Sequence, residues 1–255
     1  MFSFLNNIPQ VTKNILLLNV MLYLVSHVLL STSHGNIDLF SLFSAHYVNS
    51  ALFEPYQIIS HIFMHSPQDF THILFNMLIL VMFGAHLERL WGAKRFFIFY
   101  ISCGLGAFAL YNAMGVMELH NFKNQLISTG YDIHTLNHQI VTNNLTDVKL
   151  LSDNSQYLLE NYIKYNYSTM LGASGALFGV LAGFAFLFPN TELMLIFPPI
   201  PIKAKFLIGG YIALEIFQSL KNPHDQIAHL AHVGGAIVGI IIILIWRRTD
   251  RKNFW

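Results

Sequence analysis

The sequence predicts an all-α polytopic membrane protein, a single bundle of six transmembrane helices. Three observations lead there. The 255 residues are 54% hydrophobic and only 11% charged, against about a quarter charged in a soluble domain. Six apolar segments follow one another, each long enough to cross much of a bilayer. Lys and Arg cluster in alternate connections, as membrane topology requires. The mean hydropathy of +0.50 agrees. A net charge of +1 offers no basic surface for nucleic acid. The single cysteine, Cys103, excludes an internal disulfide and any multi-cysteine metal cage.

The spans are predicted at about 12–30, 70–87, 96–114, 170–188, 205–220 and 227–246. The first follows Lys13, and a basic residue before an apolar run also describes a signal peptide. Ser31-Thr32-Ser33 is a poor cleavage site, so the run is expected to be retained as a span. Residues 32–68 hold no Lys or Arg but are rich in Phe, Leu and Tyr. Such a loop is expected to lie at the interface or to dip into the bilayer. Glu88 to Arg95 reads as a tight charged turn between spans two and three, with Trp91 as an interfacial aromatic. Residues 115–166 form a polar, Asn-rich insertion, expected to be solvated and extracytoplasmic, with helical character from Leu145 to Tyr165. A Pro-rich turn, Phe197 to Pro201, precedes span five.

With the N-terminus inside, ten Lys and Arg fall in inner regions and four in outer ones. Three of those four (Lys123, Lys149 and Lys164) lie in the long insertion, where the rule carries less weight. The count predicts both termini in the cytoplasm, in a cell inner or plasma membrane. It also places Ser174 and His232 near the outer ends of spans four and six, at similar depth.

Span four carries the first candidate site residues. Gly175, Gly179 and Gly183 recur every fourth residue, so they share one helix face and let another backbone come close. Ser174 sits at the top of that stripe, after Gly172 and Ala173. A serine there is ordinarily a small packing residue. Span six shifts the balance, because Gly235 and Gly239 form a matching small face with His232 one turn above. Two such helices can pack so that the serine and histidine meet.

Span two carries His72 and Asn76, four apart and on one helix face. They read either as an interhelical structural pair or as donors aimed at a developing negative charge. His61 and His65 are also four apart, but no His-Glu-x-x-His motif or acid cluster completes a metal site. His65 is expected to bond to loop backbone. Glu215, an acid inside span five, is a functional candidate by default, although a place near the helix end, snorkelling or bonded to a neighbouring span, is equally open. His224 and Asp225 fall in the last outer loop. His229 is three residues before His232 and reads as structural support or as a contact behind it.

Taken together, the residues resemble the rhomboid family of intramembrane serine proteases. The matching pieces are His72-x-x-x-Asn76, Glu88-Arg89 with Gly92, Gly172-Ala173-Ser174-Gly175, and Ala231-His232-x-x-Gly235-x-x-x-Gly239. They occur in the family's order and cover about Val11 to Arg248. The chain departs in its insertion at 115–166, and the loop after span one has no Trp-Arg pair.

The resemblance implies a six-helix rhomboid-like bundle that cleaves transmembrane segments of membrane proteins with a Ser174–His232 dyad. Peptide hydrolysis needs a nucleophile, a base and an oxyanion site. By resemblance the donors at that site are the Ser174 N–H, the His72 side chain and the Asn76 side chain, with Gly172 and Ala173 beside them. Phe178 would pack on the His232 ring, and Gly175, Gly235 and Gly239 would let the helices approach. No cofactor and no metal is expected. No third acid is expected either, because a carboxylate buried near His232 would be costly to ionise. Substrate is expected to enter from the lipid past span five, by the face bearing Gly209-Gly210. Other classes remain: a non-catalytic relative that binds and escorts membrane proteins, which would lack the serine or histidine, and a transporter, which would show inverted repeats.

Overall fold

A computed structural model describes residues 6–145, 155–195, 199–221 and 226–249, with the side chains of 226–228 excepted. It is a helical bundle with six principal helical segments at the six expected places. Four of them are long and apolar enough to cross a membrane: Gln10–Thr32, Phe70–Trp91, Ala93–Ser128 and His229–Thr249. The fourth and fifth predicted spans are Ser174–Leu187, shorter but wholly apolar, and Ala204–Lys221. The serine helix is central. It packs against the third span and the histidine helix, and span five flanks these two last helices.

Several elements differ from the sequence reading. The third span runs on from Met114 to Ser128, 36 residues in all. Gly115 does not break the helix but makes room for the Tyr47 ring, and Leu119 and Leu126 are buried on one of the helix's faces. At 1.5 Å per residue it rises about 54 Å and overshoots a ~30 Å hydrocarbon core. It stops at Gly130, whose φ of 95° lets the Tyr131 N–H reach back to the Leu126 carbonyl at 3.1 Å.

The insertion is therefore not a loose solvated loop. Its helices Ile133–Val141 and Ser155–Tyr167 fold back on the extended third span. Leu126, Leu136, Ile140 and Tyr162 are almost fully buried in a second core. That core also takes in Tyr47 from the loop after span one and Met170 from the extended segment before Ser174. Part of the Leu145–Tyr165 helical reading lies outside the described residues. A two-stranded hairpin, β1 (Glu192–Met194) and β2 (Pro201–Lys203), precedes span five. Part of the Pro-rich turn between the strands is likewise outside the described residues.

Glu88 is not part of a solvated turn. It is 4% exposed, and its carboxylate accepts the Val11 and Thr12 N–H groups at 2.8 and 2.7 Å and the Thr12 hydroxyl at 2.7 Å. It thus caps the first helix, where unpaired N–H groups and the helix dipole favour an anion. Trp91 is buried against Phe99 and Trp246. Span two contains a π-helical turn, Leu80–Gly84, between its halves Phe70–Ile79 and Ala85–Trp91.

The loop after span one is anchored by polar contacts. Buried Gln57 accepts the His46 and Glu54 N–H groups, each at 3.2 Å. Ala45 and Met170 exchange two backbone hydrogen bonds of 2.8 Å. The Gly172 N–H donates to the His61 carbonyl at 2.9 Å. The His61 ring is buried and donates its Nδ1–H to the Gln57 carbonyl at 2.8 Å.

Two outcomes follow from this packing. Leu126→Ala should cost about 2–5 kcal/mol, as a large buried side chain does, read as thermal unfolding in nonionic detergent. A cost under about 1 kcal/mol would show that the insertion is not packed as described. Burial pushes the His61 imidazole from 6.5 down to about 4. Between those values the unfolded chain holds a proton that the folded chain does not, so stability falls as pH drops through that window. His61→Gln should flatten the decline in melting temperature. An unchanged slope in that variant would contradict the assignment.

Candidate active site

Ser174 opens its helix. The sequence reading put a span from 170, but residues 170–173 are not helical. Met170 is held to Ala45 and Gly172 to His61, so the chain arrives extended. Gly172 then turns with φ 116°, a region that favours glycine. A Cβ there would also stand 3.0 Å from His72 Cε1. The helix begins immediately after, with Leu177 N–H donating to the Ala173 carbonyl at 2.9 Å. The N–H groups of Ser174 and Gly175 are thus in its first turn, where helices leave donors unpaired.

The glycine faces meet as their spacing predicts. A Cβ on Gly235 would collide with the Gly175 carbonyl, and one on Gly239 would stand 2.9 Å from Gly179 Cα. A Cβ on Gly175 would lie 2.5 Å from the Ala107 methyl, and one on Gly179 would strike Cys103. The serine helix is thus clasped between the third span and the histidine helix, backbone to backbone. Cys103 is the small packing residue that this closeness needs.

This clasp sets Ser174 Oγ 2.9 Å from His232 Nε2. Phe178, one turn below, stacks on the His232 ring with centroids 4.3 Å apart and planes 6° apart. The far side of His232 holds a residue that the sequence reading did not expect there. Glu215 Oε2 lies 2.9 Å from His232 Nδ1 and 2.7 Å from His229 Nδ1. The carboxylate side chain is 7% exposed. A carboxylate accepts and does not donate, so both Nδ1 atoms carry their protons toward it. His232 Nε2 is then the lone-pair nitrogen and accepts the Ser174 hydroxyl.

The absence of a third acid near His232 is therefore corrected. Ionisation is costly only for an unpartnered carboxylate, and two imidazole N–H donors are brought to Glu215. Span five supplies it from a different helix, which spacing along the chain cannot reveal. His65, expected to bond to loop backbone, meets the Phe63 backbone of its own loop and also Asn76, whose Nδ2 donates to His65 Nε2 at 3.0 Å. Asn76 keeps a second N–H, because a primary amide has two.

His72 is fixed at the start of span two. Asp69, a residue not singled out from the sequence, caps that helix by accepting the Thr71 and His72 N–H groups at 3.0 and 3.2 Å. The rings of His65 and His72 lie 5.2 Å apart. Gly209 and Gly210 face open space, not a packing partner, so they mark no helix-packing face. Among the described residues, the three-membered group able to hold a metal ion is Glu215, His229 and His232, and not the His61–His65 pair. His224 and Asp225 lie outside the described residues.

Two cavities meet at the serine and histidine. One, of about 230 Å³, lies between spans two and five and is bounded by Phe75, Asn76, Ile79, Phe178 and Tyr211. The other, of about 290 Å³, opens beside the loops and is bounded by Ser66, Tyr111, Thr169 and Met170. Ser174, His232 and His72 line both. A serine hydroxyl bonded to an imidazole, with amide and imidazole donors nearby and two approaches, is an arrangement chemically able to carry out acyl transfer.

The chain is similar to several known proteins. The chain is 26% identical over 202 residues to a mitochondrial rhomboid protein of Saccharomyces cerevisiae, covering 79% of this chain and 44% of that one. It is 24% identical over 249 residues to the rhomboid protease AarA of Providencia stuartii, covering 94% of this chain and 74% of the relative. It is 31% identical over 109 residues to an uncharacterised mitochondrial rhomboid protein of Schizosaccharomyces pombe, 37% of this chain and 28% of that one. The chain thus spans less than half the length of either yeast relative. The rhomboid domain model matches residues 52–121 and 141–249, most of the chain and every residue of the site above, and on that evidence the protein belongs to the rhomboid family.

Proposed function

We propose that this protein is an intramembrane serine endopeptidase that cleaves transmembrane segments of membrane proteins. The observation that carries the reading is the 2.9 Å hydrogen bond from Ser174 to His232, joining helices 58 residues apart in sequence. Ser174 Oγ attacks the scissile carbonyl carbon while its proton passes to His232 Nε2. The carbonyl electron pair moves to oxygen. The Ser174 N–H in the first helical turn, the His72 ring and the free N–H of Asn76 receive that charge, with Gly172 and Ala173 shaping the turn beside them. Collapse breaks the C–N bond, and the leaving amine takes the proton from His232. A water then repeats the sequence on the acyl-enzyme, giving the free acid and restoring Ser174.

The two cavities divide the traffic. The one between spans two and five has an apolar rim of Phe75, Ile79 and Tyr211 and suits a substrate helix arriving from lipid. The one beside Ser66 and Thr169 suits water. We further propose one rhomboid-like domain over residues 1–255, with both termini in the cytoplasm and the insertion at 115–166 on the opposite face. A non-catalytic escort role gains no support from a serine and histidine held at bonding distance.

The test is labelling of the purified protein by a fluorophosphonate, together with cleavage of a model transmembrane substrate. Ser174→Ala and His232→Ala should each abolish cleavage, and Ser174→Ala should abolish labelling, in folded protein. Cleavage by Ser174→Ala at the parental rate would overturn the assignment.

The oxyanion donors make a separate prediction. Asn76→Ala should lower kcat by about 10²–10³, the range of a single lost donor, with His72→Ala at least as severe. The Asn76 effect is smaller if neighbouring donors share the charge. Unchanged turnover per folded molecule, with lower melting temperature alone, would make these residues structural.

A further inference from the structure

We propose that Glu215 is a positioning residue for His232, turning the serine–histidine pair into a three-membered relay supplied by three different helices. This rests on the reading of Ser174 and His232 as nucleophile and base. A base must present a bare Nε2 to the serine, and an isolated neutral imidazole divides its proton between two nitrogens. The 2.9 Å contact of Glu215 Oε2 with His232 Nδ1 holds the proton on the nitrogen away from Ser174. The stacked face of Phe178 fixes the ring plane, and the carboxylate fixes its rotation within that plane.

Charge argues the same way. With both imidazoles neutral, the cluster of Glu215, His229 and His232 carries one negative charge. When Ser174 hands its proton to His232, the imidazolium forms 2.9 Å from that buried carboxylate and the cluster becomes neutral. A charge fixed in advance near a developing opposite charge, away from water, is an effective form of transition-state stabilisation. His229 has a different part. Its Nδ1–H at 2.7 Å supplies the carboxylate with a second donor, which helps an acid persist inside an apolar span. Among the described residues, the other titratable groups around this cavity are His72 and Asp69 from the start of span two and Tyr211 from span five, with the Ser174 hydroxyl from span four.

The same three side chains put one ligand atom each within 4.8 Å of one another, a spacing that a divalent metal could bridge. A metal on His232 Nδ1 would displace the proton that the relay keeps there. The two uses are therefore opposed, and the test separates them.

The experiment uses the full chain in nonionic detergent, with kcat, KM, melting temperature and the rate of fluorophosphonate labelling measured together. Glu215→Gln preserves shape, but its amide can donate to Nδ1 and favour the wrong tautomer. It should lower kcat by about 10²–10⁴, with labelling falling in parallel and KM and melting temperature little changed. His229→Ala removes the carboxylate's second donor but leaves the Glu215–His232 contact in place, and should lower kcat less than Glu215→Gln does. Solid-state ¹⁵N spectra of histidine-labelled parent should show His232 protonated at Nδ1 and bare at Nε2, which tests the relay even if a Glu215 variant fails to fold. Full kcat and labelling in folded Glu215→Gln, or a parent His232 protonated at Nε2, would overturn the proposal. So would a rate that falls with EDTA and returns with zinc. If the parent is not labelled at all, or Ser174→Ala is labelled equally, it is the protease reading that fails, and not this one alone.

Discussion

The close contact of two glycine-lined helix faces is the constraint on which the rest depends. Gly175 and Gly179 meet Gly235 and Gly239 with no room for a single added methyl. In lipid there is no hydrophobic gain from pairing two apolar helices, so association rests on packing and polar bonds. Backbone-to-backbone packing is the closest that two helices can achieve. It brings His232 within hydrogen-bond range of Ser174, which a helix pair separated by larger side chains would not do. The same clasp presses Cys103 and Ala107 of the third span against the serine helix, so three helices share one small-residue seam. An added side chain on this seam would move the serine and histidine before it altered anything else.

Much of this was legible in the sequence. The six apolar runs appear as six helical segments, and the four-residue glycine period identified the faces that meet. Ser174, His232, His72 and Asn76 lie around one pair of cavities, and Phe178 stacks where the family resemblance placed it. What the sequence hid was partnership across helices. A bond from Glu215 to a neighbouring span was one of the readings open for it, but its two partners could not be named, because they lie 14 and 17 residues away on another span. The expectation of no third acid weighed the burial cost without the compensating donors. His65 hid a second partner in the same way, since Asn76 belongs to span two rather than to its own loop. Asp69 offered a signal that could have been read: an Asp three residues before His72 at the start of an apolar run is a helix cap.

The insertion shows a different limit. Its polar composition suggested a solvated loop, yet its apolar residues were enough for a core. Leu126, Leu136, Ile140 and Tyr162 are spread thinly along the chain and converge only when the third span continues as a helix past Met114. The buried apolar residues are a minority among polar neighbours, which is why average composition misled. The core reaches Met170, which is bonded to Ala45 and begins the extended segment that delivers Gly172 and Ser174. The insertion thus bears on the serine through backbone, not by covering it.

Depth follows from the length of the serine helix. Fourteen residues rise about 21 Å, short of a ~30 Å hydrocarbon core. A helix of that length falls short of a membrane surface at one end; on the proposed reading that is the serine end, and the extended residues before it must then be satisfied by protein, since lipid offers no hydrogen bonds. Ala45 and His61 supply those bonds to Met170 and Gly172. The loop after span one is apolar enough to lie at that depth and polar enough, through Gln57 and His61, to hold its own backbone. On the proposed reading, this sunken helix end explains why one site can serve both a substrate in lipid and water from outside. The apolar rim of Phe75, Ile79 and Tyr211 faces the bilayer side, while Ser66 and Thr169 line the other approach. The polar groups of the reaction are gathered where these approaches meet, so the surrounding helices keep faces that lipid can cover.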